Sequence, residues 1–164
     1  MSFDDLGLGP KILKAIAKAQ YTTPSEIQQK AIPLVMEGSD LRASAETGTG
    51  KTAAFLLPAL HRLTSPSTVK GKGPRVLILV PTRELAQQIA TQSEKYSRCL
   101  ERIKTVCVVG GVPYHKQTGK LSRPYDILIA TPGRLIDFIN QKKVDFSRLE
   151  MLVLDEADRM LDMG

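Results

Sequence analysis

The chain has 164 residues, 42% of them hydrophobic and 24% charged, with a formal net charge of +6. Those values fit one soluble globular domain around a single core, and they exclude a low-complexity chain. The excess of positive charge permits a polyanionic partner without requiring one, and the strongest apolar run, Val76 to Val80, is far too short to span a bilayer.

The opening residues carry Asp4 and Asp5 and no long apolar stretch, so nothing here reads as a targeting segment. Pro10 opens a helical period over 10–20, with Ile12, Leu13, Ile16 and Ala17 on one face. A second helix is expected over 24–36 and a third over 50–63, and Pro33 and Pro58 should kink or divide them. Between these helices a strand is expected near 41–45, the one that is not nearly continuous in Val, Ile and Leu, where Arg42 occupies a position that is normally apolar. A buried unpaired cation is costly, so its head should reach the surface or a carboxylate. Thr64 to Pro74, with Ser, Pro, Gly and two Lys, reads as a surface connection.

Beyond it, strands are expected near 75–80, 103–109, 125–130 and 151–154. They are nearly continuous in Val, Ile and Leu, as strands covered on both faces should be. Helices over 83–99 and 133–142 alternate with them. Cys99 and Cys107, without a C-x-x-C spacing or a neighbouring His, are expected to be reduced thiols in a cytoplasmic protein. The alternation defines an α/β fold, a parallel sheet with helices on both faces, in one domain over 1–164 without repeat or linker. In such a sheet the loops after the strands share one edge, where α/β proteins bind ligands.

Two motifs on that edge carry phosphate chemistry. Ala45-Glu46-Thr47-Gly48-Thr49-Gly50-Lys51-Thr52 follows a strand and opens a helix, the context of a phosphate-binding loop. Its glycines let backbone N–H groups turn toward phosphates at a helix start. Lys51 would reach the β and γ phosphates, and the Thr52 hydroxyl would hold Mg²⁺. Ala45 replaces the first glycine of the general pattern, and a Gly-rich capping turn is the plainer alternative. Asp155 ends an apolar strand, where its carboxylate can hold Mg²⁺ through water, and Glu156 can orient or deprotonate the attacking water. Asp155-Glu156-Ala157-Asp158 would arise by chance in roughly one in several hundred chains of this length. An acidic first turn stabilising a helix over 156–161 is compatible with either role.

With these residues in place the chain resembles the amino-terminal RecA-like domain of a DEAD-box RNA helicase over essentially its whole length. Phe3 matches the family's upstream aromatic, and Tyr21-Thr22-Thr23-Pro24-Ser25-Glu26-Ile27-Gln28 matches its adenine-reading motif. The resemblance implies that Gln28 reads the adenine edge, with Tyr21 against the ring and Phe3 supporting the pocket. A carboxamide offers the donor and acceptor such reading needs, although by residue type alone Gln28 would be a solvated helix residue. Pro81-Thr82-Arg83, the doublet Gly110-Gly111, and Thr131-Pro132-Gly133-Arg134 match the motifs that track an RNA backbone. Read without the resemblance, Thr82 and Thr131 are helix N-caps, Pro132 a first helical residue and the glycines a turn. The resemblance implies ATP and Mg²⁺ as cofactors, RNA held by phosphate and sugar with little sequence preference, and a second RecA-like domain.

Several positions depart from the family. Glu46 stands where it has Gln, Gln20 where it has Gly, and Ser25 where it has Thr. The family's Ser-Ala-Thr motif is not among the 164 residues. Its strand is expected between the phosphate-loop strand and the strand ending at Asp155, so a gap of about 10 Å is expected there. These residues taken alone should then be marginal, rearranged or completed by another chain.

Overall fold

A computed structural model describes residues 2–21, 23–36, 41–43, 51–100 and 103–155. A short 3-10 turn, Phe3–Leu6, leads into α1 (Pro10–Lys18) and α2 (Glu26–Met36). Then follow β1 (Leu41–Ala43), α3 (Lys51–Leu63), β2 (Val76–Leu79), α4 (Arg83–Ser97) and β3 (Thr105–Val108). The remainder is α5 (Tyr114–Leu121), β4 (Ile127–Ala130), α6 (Pro132–Asn140) and β5 (Met151–Asp155).

All five strands are parallel, in the order β1-β5-β2-β4-β3. Side-chain alternation along them builds two cores. Val76, Ile78, Val80, Ile127, Ile129 and Val153 meet α1 to α4 on one face. Leu77, Val106, Val108, Leu128 and Ala130 meet Leu121 of α5 and Leu135 and Phe138 of α6 on the other. Coverage of both faces is why the strands lack polar alternation.

Each expected strand is present, and three findings correct the sequence reading. β1 pairs directly with β5, Leu41 opposite Val153 and Ala43 opposite Asp155, so the expected gap between them is absent. A gap would leave the facing N–H and C=O groups of both strands without partners, and direct pairing satisfies them. Of the kink or division expected at Pro33 and Pro58, division does not occur, since α2 and α3 run through them. The two helices are held by the core they share, in which Ile32, Phe55, Leu56 and Leu60 are buried, and packing of that kind overrides a local breaker. Finally, α5 has no counterpart among the expected helices. Its sequence, YHKQTGKL, buries only Gln117 and Leu121, too little apolar repetition to show a helical period.

The edge carrying the strand amino ends is locked by charge. Arg75, buried at the start of β2, is ion-paired with Glu150 just before β5, and Arg62 of α3 lies 3.8 Å from the same carboxylate. Arg148 donates to the carbonyls of Gly73 and Tyr125 at 2.8 Å each.

Candidate functional site

The strand carboxyl ends form the opposite edge. Asp155, at 0% exposure, is the buried acid of that edge among the described residues, and its Cα partner is Ala43 at the end of β1. The chain leaving β1 runs through 44–50 and re-enters helix at Lys51. The register therefore sets Asp155, at the end of β5, beside the end of the strand that leads into 44–50. Thr52, half-buried in the first turn of α3, follows directly. Ala45, Glu46, Thr47, Gly48, Thr49, Gly50 and Glu156 lie outside the described residues, as do the side chains of Lys51 and Arg42.

Gln28 is 7% exposed, which corrects the reading of a solvated helix residue. The Ser25 N–H donates to Gln28 Oε1 at 3.0 Å, and the Gln28 N–H donates to Ser25 Oγ at 3.4 Å. This reciprocal pair is a capping box at the start of α2. Its spacing, Ser-x-x-Gln, is legible in the sequence and marks both residues without any family comparison. Phe3 is buried in the same core as Ile32 of α2 and so supports that helix.

Tyr21 lies elsewhere. Its ring centroid is 6.1 Å from that of Tyr96, with Lys95 Nζ 5.6 Å above it. Both partners belong to the last turn of α4, about 20 Å along the helix from its start on the Asp155 edge. Burial and the contact with Tyr21 push the Tyr96 hydroxyl well above the usual tyrosine range.

Among the residues matched to an RNA track, Pro81 is buried and Thr82 caps α4, its Oγ1 accepting from the Leu85 N–H at 3.2 Å. Arg83 is exposed and lies over the glycine turn. A Cβ built on Gly111 would stand 2.8 Å from its Nη1, and Gly111 has φ +80°, where a side chain is strained. Gly110 faces open space. Thr131 holds the N-cap position of α6 and Pro132 its first turn, but the Thr131 side chain makes no capping hydrogen bond. That part of the capped-helix reading is thus corrected, while Gly133 is exposed beside it.

Arg134 is committed within the protein. Its Nη1 donates to the Val112 carbonyl at 2.6 Å and to Gln117 Oε1 at 3.0 Å, and its guanidinium carbon is 4.0 Å from the Tyr114 ring centroid. Gln117 in turn donates from Nε2 to the Val109 carbonyl at 3.1 Å. The Tyr114 hydroxyl donates to Asp137 Oδ2 at 2.6 Å, which raises its pKa. Sequence reasoning passed over Tyr114, Gln117 and Asp137. The only local signal for them was an aromatic three residues beyond a glycine doublet.

Residues 25–164 match the family model described as DEAD/DEAH box helicase. Among curated proteins, the chain is 46% identical to the ATP-dependent RNA helicase SrmB of Haemophilus influenzae, over 99% of this chain and 37% of that protein. It is 48% identical to DEAD-box ATP-dependent RNA helicase 20 of Arabidopsis thaliana, and 45% identical to the DEAD-box ATP-dependent RNA helicase RhpA of Helicobacter pylori. Each match covers 99% of this chain and 32% of the relative. The chain thus spans about a third of the length of these relatives.

Proposed function

Because the chain belongs to the DEAD/DEAH box helicase family, we propose that it is the ATP-binding part of an ATP-dependent RNA helicase. In that role it couples Mg-ATP hydrolysis to RNA binding and duplex unwinding. The observation that carries this reading is the β1–β5 register, which sets the buried carboxylate of Asp155 against the end of the strand entering the phosphate loop.

The donor set fits a magnesium ion, which prefers oxygen ligands and keeps part of its water shell. Thr52 and Asp155 would hold it. When bound with ATP, the ion supplies positive charge against the phosphate oxygens. The backbone N–H groups of 46–50 and the Lys51 ammonium cradle the phosphates, and Glu156 orients or deprotonates the attacking water. Gln28 reads the adenine edge, its amide plane set by the Ser25 N–H, and Phe3 supports the helix that carries it. Tyr21 joins this pocket only by giving up its contact with Tyr96.

RNA lies along the same edge, over Pro81, Thr82 and Arg83, the Gly110–Gly111 turn, and the α6 start at Thr131, Pro132 and Gly133. Free N–H groups at helix starts favour phosphates. Arg83 is the exposed cation on this path, whereas Arg134 shapes it through Val112 and Gln117. A second RecA-like domain of the same protein completes the site and the grip on RNA, so these 164 residues alone do not unwind a duplex. Free Cys99 and Cys107 suit the cytoplasm, where we place the protein.

The test compares RNA-stimulated ATP hydrolysis by this chain and by the protein extended through its second domain. The extended protein should turn over faster, and Lys51→Ala in it should abolish turnover. Undiminished hydrolysis in that variant would refute the phosphate-loop role. Tighter binding to a single-stranded RNA than to the matched DNA is expected.

A further inference from the structure

The sheet ends at β3, whose strand neighbour among the described residues is β4 alone. The Lys104 carbonyl accepts from the N–H groups of Asp126 and Ile127, and the Val108 carbonyl from that of Thr131, so these residues turn their backbone toward β4. The residues between them face the other way. Thr105 and Cys107 therefore aim their N–H and C=O groups away from the sheet. Val109 continues the alternation, and its carbonyl is held by Gln117 Nε2 at 3.1 Å. The open edge is thus the stretch from Thr105 to Cys107, closed at its carboxyl end.

A cavity of about 370 Å³ lies along this edge. Its walls include Ser97 of α4 and Lys120 of α5, which cover opposite faces of the sheet, with Lys104 and Thr105 between them. A space bounded by both helix layers and the last strand lies off the end of the sheet, so the helices stand back from the edge. Charge on its rim is one-sided. Lys104, Lys120 and Arg123 are exposed and form no ion pair among the described residues, and Glu94 is the one acid on the walls. Asp126 nearby is taken up by the Lys104 N–H at 2.9 Å. Burial raises the Cys107 thiol and the Lys120 ammonium partly opposes it, which brings that charge to the open edge.

Lysines beside an exposed strand keep a second copy of the same edge away, yet the same charges attract an acidic strand. Phosphates only accept hydrogen bonds, whereas this edge alternates donors with acceptors, as a peptide backbone does. We propose that the β3 edge is a docking site for an extended acidic peptide of a partner protein. The peptide adds to the sheet as a further strand beside Thr105 and Cys107 and sets its carboxylates against Lys104, Lys120 and Arg123. The site lies toward the strand amino ends, away from Asp155, and does not draw on the nucleotide or RNA reading.

The test uses the protein extended through its second domain and a fluorescein-labelled peptide, an alternating valine and threonine run with glutamates at both ends. The anisotropy of the peptide should rise to saturation. A version with every amide of the run N-methylated should not bind, since it cannot complete the ladder. Amide exchange at Thr105 and Cys107 should slow when the acidic peptide is bound, while Val106 and Val108, already paired with β4, should change little. Lys104→Glu, Lys120→Glu and Arg123→Glu together should weaken the acidic peptide about tenfold and leave single-stranded RNA affinity in place. Absence of binding, equal binding of the methylated version, or binding without slowed exchange at Thr105 and Cys107 would overturn the proposal. A triple variant that loses RNA affinity and keeps the peptide would assign the rim to nucleic acid and overturn it too.

Discussion

Nη1 of Arg134 stands 3.0 Å from Oε1 of Gln117, and this contact joins the first turn of α6 to the middle of α5. The same nitrogen holds the Val112 carbonyl, and the guanidinium covers Tyr114. One planar cation thus organises the turn after β3 and the turn after β4. Lysine carries the same charge but cannot present a rigid donor fork while stacking on an aromatic face. Arg134→Lys should therefore lower the stability of the domain by about 1–2 kcal/mol, read from urea unfolding. RNA affinity should fall with it, because the turn that Arg83 overlies is no longer pinned. Retained RNA affinity in a variant of lowered stability would separate the clamp from the binding edge.

Gln20 shows a different kind of departure. It has φ +64° and occupies the left-handed position just beyond α1, with its N–H donating to the Ala17 carbonyl and that of Tyr21 to the Ile16 carbonyl. The two bonds form a Schellman motif, whose left-handed residue is usually glycine. A side chain with a Cβ is disfavoured there by about 1 kcal/mol or more, partly offset by the greater unfolded-state freedom of glycine. Gln20→Gly should raise stability by about 0.5–1 kcal/mol, measured as a higher urea midpoint at unchanged slope. An unchanged or lower midpoint would mean that the glutamine side chain earns its place by a contact of its own.

The strands were legible because burial on both faces leaves them as unbroken Val, Ile and Leu runs, and Asp155 was legible because it ends such a run. Helix α5 was not, since Gln117 is buried for its hydrogen bond to Val109 rather than for apolar area. The partners of Arg134 were not legible, because motif spacing cannot show that a carbonyl, a carboxamide and a ring converge on it. The continuity of α2 and α3 through Pro33 and Pro58 was hidden for the same reason, being decided by a core that neither helix forms alone. The pairing of β1 with β5 depends on contacts more than a hundred positions apart, beyond any local pattern.

Thr82 offers a clean measure of one local device. It caps α4 through Leu85, and the helix it starts carries Arg83 outward. Thr82→Ala should cost about 1 kcal/mol of stability, and Thr82→Ser should restore most of it, as followed by thermal unfolding. An RNA-affinity loss in the alanine variant that serine also rescues would show that the hydroxyl serves both the helix and the bound strand.

Tyr125 supplies the pH dependence. It is 2% exposed, its hydroxyl has no hydrogen-bond partner among the described residues, and burial raises its pKa to about 12. Asp145 adds to the rise, and Arg148 opposes it. The folded-state pKa lies above the unfolded value near 10, so the folded chain keeps this proton where the unfolded chain releases it. The resulting contribution is fully present below pH about 10 and is lost as the pH rises toward 12. Tyr96, Tyr114 and Cys107, also raised, act in the same direction, so the wild type alone cannot isolate any of these groups. Tyr125→Phe removes one of them together with an unpaired buried hydroxyl. The variant should match or exceed the wild type at neutral pH, by up to about 1 kcal/mol. It should lose stability less steeply between pH 10 and 12. Urea midpoints of both proteins across that range decide it, and parallel declines would show that the Tyr125 hydroxyl is solvated in solution.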